Sequence, residues 1–109
     1  MSDHIVEELI QVAMQIILHA GDARLKITEA LSYAKKFEFD SASESMNEAN
    51  ENLCLAHKAQ TEIIQNEANG KQYQHVLLFT HAQDTLMTIN SEIRMAEEMI
   101  DILKIIAKN

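Results

Sequence analysis

Apolar residues recur along this chain at steps of three and four, the spacing that gathers one face of an α-helix at about 100° per residue. The pattern is clearest from about Gln74 to Ala107, where two seams run side by side. The first is Phe79, Ala82, Leu86, Ile89, Ile93, Ala96, Ile100 and Leu103. Every member is apolar, so it reads as the core contact of an amphipathic helix. The second is Leu77, His81, Asp84, Thr88, Ser91, Met95, Ile102 and Ile106, apolar at both ends and polar in the middle. A helix with two seams packs against two sets of neighbours, and a short chain has few helices of its own to cover both. The second face is therefore expected to be an oligomer contact. His81 and Asp84, three residues apart, would share one side of the helix near a buried symmetric surface.

The same spacing predicts two earlier helices. The first covers about 3–37, with Val6, Leu9, Ile10, Ala13, Ile16, Ile17, Ala20, Ile27, Leu31 and Ala34 on its apolar face. Ser2 or Asp3 suits its N-cap, and Glu7 and Glu8 suit the positive end of its dipole. Gly21 is expected at a close helix contact or a mild kink, since an unforced mid-helix glycine loses about 1 kcal/mol against alanine. Arg24, on the edge of the buried face, reads as a snorkelling side chain. The stretch Phe39–Glu44 marks a break, with Asp40 as the next N-cap. The second helix, about 41–69, turns Ala42, Met46, Ala49, Leu53, Ala56, Ile63 and Ile64 inward. Gln60 lies on that face and is expected to be a buried, hydrogen-bonded amide. Asn69-Gly70-Lys71 ends the helix, because Asn and Gly accept the left-handed conformation. Three helices, each roughly 45 Å long at 1.5 Å per residue, predict an all-α, up-down-up three-helix bundle in one domain spanning 1–109.

Composition supports this picture. The chain has 109 residues, no proline and two glycines, so little interrupts its helices. Few aromatic residues and few β-branched runs argue against a sheet. A single cysteine, Cys54, excludes an internal disulfide. No apolar run approaches bilayer length and no secretory signal is evident, so a cytoplasmic protein without membrane insertion is expected. The net charge is −8, from 17 acidic and 9 basic residues, and the basic ones are scattered. Neutralising phosphates takes clustered Lys and Arg, so nucleic acid is not an expected partner.

Chemistry is sparse. His4, His19, His57 and His75 have no acidic or nucleophilic partner at a telling spacing and read as surface or boundary residues, with His75 held in reserve. Cys54 has no His or Lys organised around it and is not expected to be a nucleophile. The six methionines are expected to fill the core. His81 and Asp84 are too few ligands for a metal site in one chain. A symmetric oligomer multiplies them. Three Asp84 carboxylates around a threefold axis can hold a hard divalent cation through oxygen, with water; without it they would repel and their pKa values would rise. The pattern equally permits a dimer.

The string His81-Ala82-Gln83-Asp84, followed by Leu86-Met87-Thr88, resembles the active-site motif of the lactose/cellobiose/chitobiose class of enzyme IIA proteins. These belong to the phosphoenolpyruvate-dependent sugar phosphotransferase system. Two further stretches match in order: Gly21-Asp22-Ala23-Arg24, and Ala56-His57-Lys58-Ala59-Gln60-Thr61 continuing through Ile64-Gln65-Asn66-Glu67-Ala68. The resemblance covers essentially the whole chain. It implies a homotrimer of three-helix subunits, nine helices in all. It also implies a phosphocarrier in which His81 accepts a phosphoryl group from phospho-HPr and passes it to a cysteine of the cognate IIB protein during sugar uptake. Asp84 matches the acidic residue that faces its symmetry mates and, in some members, binds a divalent metal, with Mg2+ the first candidate at the trimer axis. Gln83 matches a polar neighbour of the active site. Where the family usually has a second His directly after the Asp, this chain has Thr85, which can donate a hydrogen bond but cannot carry charge. From the residues alone, two other readings stand beside this one: a non-catalytic oligomeric helical adaptor whose polar seam sets register, and a metal-binding bundle.

Overall fold

Alanine sets how closely the helices of this protein approach one another. A computed structural model describes the backbone of residues 2–109 and the side chains of residues 5–109. It contains α1 (Ser2–Lys35), α2 (Phe39–Ala68) and α3 (Leu77–Lys108), and no strand among the described residues. The expected N-cap role of Ser2 or Asp3 and the surface position expected for His4 fall outside the described side chains. The buried positions of α1 are Leu9, Ala13, Ile16, Ala20, Ala23, Ile27, Ala30 and Ala34, a strict alternation of steps of four and three. That alternation is a narrow coiled-coil-like seam, not a broad apolar face. Ala42, Met46, Ala49, Leu53, Ala56 and Ile63 do the same on α2, and Ala82, Leu86, Ile89, Ile93, Ala96 and Ile100 on α3. The small alanines let the axes approach, while Ile16, Ile63, Leu86 and Ile89 are the large side chains sealed most completely. Burying a side chain of that size is worth about 1.5–3 kcal/mol. The helices run up, down and up in a rod 62 × 20 × 18 Å; α1 packs against both others, and α2 and α3 touch least.

The narrow seam corrects several expectations. Ile10 and Ile64, each one position off it, are 40% and 45% exposed. Ala23, Ala30 and Ser45 are buried in their place. Gln60 continues the α2 seam but is only half-buried. Of the described methionines only Met46 is buried; Met14, Met87, Met95 and Met99 lie on the surface. Gly21 is exposed, and a Cβ built on it would meet no heavy atom within 4 Å, so it serves no close contact inside the subunit. Arg24 does more than snorkel: its Nε donates to Glu92 Oε1 at 3.0 Å and its Nη2 to Glu92 Oε2 at 2.6 Å, clasping α1 to α3. Lys26 similarly reaches Glu48 of α2 at 2.8 Å. Exposed pairs of this kind add little stability, but they fix how the helices are aligned.

Both corners use the same device. At the end of α1 the amide of Phe37 donates to the carbonyl of Ala34 and that of Glu38 to Tyr33, with Phe37 at φ 59°. At the end of α2 the amide of Gly70 donates to Glu67 and that of Lys71 to Asn66, with Gly70 at φ 99°. These are Schellman motifs, which satisfy the last carbonyls of a helix through one left-handed residue. Glycine takes that conformation freely, whereas phenylalanine does not. The Phe37 ring lies 5.8 Å from that of Phe39, tilted by 44°. This tight corner starts α2 at Phe39, so Asp40 falls inside the first turn and is not the cap. The N-cap position belongs to Glu38, which makes no side-chain cap bond. Asp40 there still complements the helix dipole. After Gly70 the chain stays irregular through residue 76, and α3 begins at Leu77 rather than near Gln74, because Val76 is extended (φ −122°, ψ 118°).

Candidate functional site

The first two turns of α3 carry His81 and Asp84. Their helix is held by the buried seam on one side, and a step of two residues rotates the chain by about 200°. The second seam therefore faces away from the subunit's own core. Leu77 is 76% exposed at its start, and Met95, Ile102 and Ile106 are more than half exposed farther along. His81, Asp84, Thr88 and Ser91 between them are exposed too. Among the described residues no element covers this face. The seam is also more polar than its sequence spacing first suggested: Glu98, three residues after Met95 and four before Ile102, continues the same step and is exposed.

Two threonines are bound to the helix itself. Thr85 Oγ1 donates to the carbonyl oxygen of His81 at 2.9 Å, and Thr88 Oγ1 to that of Asp84 at 2.8 Å. Back-bonding of this kind is a common use of Thr in a helix. It leaves the imidazole of His81 and the carboxylate of Asp84 facing outward. Asp84 offers oxygen, the donor a hard divalent cation takes. Among the described residues no three His, Cys, Asp or Glu side chains come together as a metal site within one chain. Near His81 one subunit thus supplies a single seam carboxylate, Asp84, and a shared site there needs further copies.

Gln83 does not join His81 on the seam. It lies on the opposite flank of α3 and lines a cleft of about 270 Å³ with Glu67, Tyr73, His75 and Thr80. The cleft closes between the end of α2, the irregular segment and the start of α3. His75 thereby gains a place near the site, on a different side from His81. Beside the seam on its other flank, Ile27 and Leu31 of α1 with Thr88, Ser91, Met95 and Met99 of α3 form an apolar groove of about 560 Å³. Cys54 is exposed and His57 half-buried on α2, away from either feature. His19 is half-buried at the boundary, with its Nδ1 buried and unpartnered.

One cluster near this end of the bundle has no signature in helical spacing. Lys71 Nζ lies 2.7 Å from Glu8 Oε2, Tyr73 Oη donates to Glu8 Oε1 at 3.3 Å, and Asn66 Nδ2 donates to Tyr73 Oη at 3.0 Å. Lys71 also sits 5.2 Å from the centre of the Tyr73 ring, within cation–π range. The Lys71 ammonium holds the Glu8 carboxyl below its ordinary pKa, with a smaller push from Tyr73, and Glu8 in turn raises Lys71.

Comparison with known proteins places these features in a family. The family model described as PTS system, lactose/cellobiose specific IIA subunit, matches residues 11–104. The lichenan-specific phosphotransferase enzyme IIA component of Bacillus subtilis is 43% identical over 96 residues, covering 88% of this chain and 87% of that protein. The lactose-specific EIIA component of Staphylococcus epidermidis is 44% identical over 82 residues, 75% of this chain and 79% of its own. Among solved structures, the cellobiose-specific enzyme IIA of Bacillus anthracis superposes with a TM-score of 0.87 at 39% identity, covering 91% of each chain. No helix among the described residues is long and apolar enough to cross a membrane.

Proposed function

This chain belongs to the lactose/cellobiose-specific IIA subunits of the sugar phosphotransferase system, and we propose that His81 is the residue on which it carries the phosphoryl group. The donor is phospho-HPr and the acceptor is a cysteine of the cognate IIB protein. The observation that carries this reading is the exposed imidazole of His81 beside the exposed Asp84, on a helix face that none of the described elements covers. A relay residue has to meet two protein partners in turn, so it has to be reachable.

The chemistry needs nothing beyond the imidazole. A neutral ring is a competent nucleophile near neutral pH. One ring nitrogen of His81 attacks phosphorus as the N–P bond to the HPr histidine breaks. In the second transfer the IIB thiolate attacks, an S–P bond forms, and the N–P bond to His81 breaks. Catalysis is mainly positioning and charge stabilisation, as in phosphoryl transfer generally. Thr85 contributes little charge stabilisation, because its hydroxyl is bonded to the helix. Gln83 serves the neighbouring flank, through the cleft it shares with His75.

The working form is a homotrimer of nine helices, built by packing the second α3 seam against its copies, with Asp84 turned toward the axis and His81 left partly exposed in the groove between subunits. Steps of four and three from Leu77 through Ile102 support this, since that period winds parallel helices together. Three Asp84 carboxylates would then meet at the axis and hold a divalent cation, Mg2+ by preference for oxygen. When bound, that ion supplies the positive charge that three converging carboxylates lack.

The test is phosphorylation with enzyme I, HPr and phosphoenolpyruvate. Wild type and His75→Gln take the label, and His81→Gln takes none. Label on another residue overturns the assignment. A folded protein that never accumulates phosphohistidine under these conditions is instead a helical adaptor.

A further inference from the structure

The threonines in the first half of α3 are not used alike. Thr85 and Thr88 bond their hydroxyls back to the helix, while Thr80, half-buried, makes no side-chain hydrogen bond among the described residues. At about 100° per residue, Thr80 and His81 fall on opposite flanks of the second seam. His81 lies about 40° to one side of its midline and Thr80 about 60° to the other. Their levels along the helix differ by only about 1.5 Å. The two flanks are unlike. The His81 flank carries the apolar groove of Ile27, Leu31, Met95 and Met99. On the Thr80 flank, Met87 and Ile105 are 57% and 61% exposed. A face with one grooved side and one side of exposed apolar residues suits a contact between unlike flanks of successive copies. Repeated around an axis, that contact closes into a ring.

We propose that the Thr80 hydroxyl of each subunit completes the site of the next, donating a hydrogen bond to a phosphoryl oxygen carried on His81 of the partner subunit. The inference rests on the carrier and trimer readings above. When parallel α3 helices pack by their second seams around a threefold axis, each turns one flank to one neighbour and the opposite flank to the other. The Thr80 flank of one subunit therefore meets the His81 flank of the partner subunit at the same height. Within one subunit the two side chains diverge by about 100°, so the contact exists only between copies. The Thr80 hydroxyl is free for it, whereas that of Thr85 is held by its own helix. Hydrogen bonds to an ionised acceptor such as a phosphoryl oxygen are among the strong ones. Thr80 makes and breaks no bond to phosphorus, and the transfers at the N–P and S–P bonds proceed as above.

Two measurements test this, one of geometry and one of chemistry. For geometry, chains freed of the native thiol by Cys54→Ser carry either Thr80→Cys or His81→Cys, and are co-expressed and oxidised. A disulfide needs Cβ atoms about 3.5–4.5 Å apart, so it reports facing positions. The mixture is expected to give linked pairs of chains. Each protein alone should give none, since in a threefold ring a flank does not meet its own copy. No linkage in the mixture overturns the proposal, and so does equal linkage in either protein alone. For chemistry, label transfer from phospho-HPr is timed. Thr80→Val should slow it about tenfold, the size of one lost hydrogen bond to a charged group, and Thr80→Ser should not. Co-assembly of Thr80→Val with an excess of His81→Gln subunits should bring labelling of the Thr80→Val chains back toward the wild-type rate, because the partner subunit then supplies an intact hydroxyl. An unaltered rate in Thr80→Val, or a slow rate that co-assembly does not raise, overturns the proposal. If wild type takes no label, the carrier reading fails and the hydrogen bond with it, while the linkage still reports whether the two flanks meet.

Discussion

The side chain of Thr85 is turned onto the backbone of its own helix, with its hydroxyl donating to the carbonyl oxygen of His81 at 2.9 Å. A hydroxyl used this way cannot also meet a phosphoryl oxygen on the ring above it without giving up that bond. Thr85→Val keeps the branched shape and a similar helix propensity. It should leave phosphorylation of His81 within about threefold of wild type, equivalent to roughly 0.6 kcal/mol. A larger loss, read as the rate of label transfer from phospho-HPr, would mean that the hydroxyl turns to the phosphoryl group during reaction.

Asp84 is the one carboxylate on the seam near His81, and the proposed trimer brings three of them together. Replacing buried like charges by well-packed apolar side chains is neutral or stabilising by about 1–4 kcal/mol. Asp84→Leu is therefore expected to remain a folded trimer, with an equal or higher thermal midpoint and no response to chelator. Sedimentation velocity is the check. Dissociation to monomers on this change would contradict an axis at Asp84.

Gly21 has open space where a Cβ would go, and its helix runs through without a break. Gly21→Ala should stabilise the protein by about 1 kcal/mol through helix propensity alone. Urea unfolding measures it. Destabilisation, together with a shift toward monomer, would place a neighbouring subunit against this face.

The ion pair between Glu8 and Lys71 has a pH window. The Glu8 carboxyl titrates below its ordinary value of 4.5 and the Lys71 ammonium above its ordinary 10.5. A depressed carboxyl contributes fully above its unfolded pKa and loses that contribution as pH falls through the folded value. A raised ammonium contributes below its unfolded pKa and loses it as pH climbs through the folded value. The small stability that this pair contributes should thus be steady from about pH 5 to 10 and decline on the acid side. Glu8→Gln should remove this pair's share of the acid decline, read from the urea midpoints of the two proteins across that pH range.

Much of this was legible from spacing. Leu86, Ile89, Ile93, Ala96 and Ile100 fall every three or four residues, so the core of α3 is legible in the sequence. The exposed second seam followed from the same count, although Glu98 broke the apolar run and was stepped over. Gln83 came from the resemblance, as a polar neighbour of the active site; two residues along a helix point to nearly opposite sides, and it lines the cleft that also holds His75. Other features had no local signal. Glu8 and Lys71 are 63 positions apart, and Arg24 and Glu92 are 68 apart; only the packed bundle makes them neighbours. Asp40 carried the right chemistry for a cap, but the Schellman bonds at Phe37 and Glu38 start the helix before Asp40 can act as one.

The corner at Phe37 has a consequence for how this chain tolerates change. At most apolar sites a smaller or more flexible replacement costs contacts. Here the backbone is wound the wrong way for any side chain branched at Cβ, so valine or isoleucine, the gentlest exchanges by hydropathy, would be the harsh ones. Glycine and asparagine, the severe ones by the same scale, would be accepted. A substitution table built on side-chain similarity would rank this single position upside down.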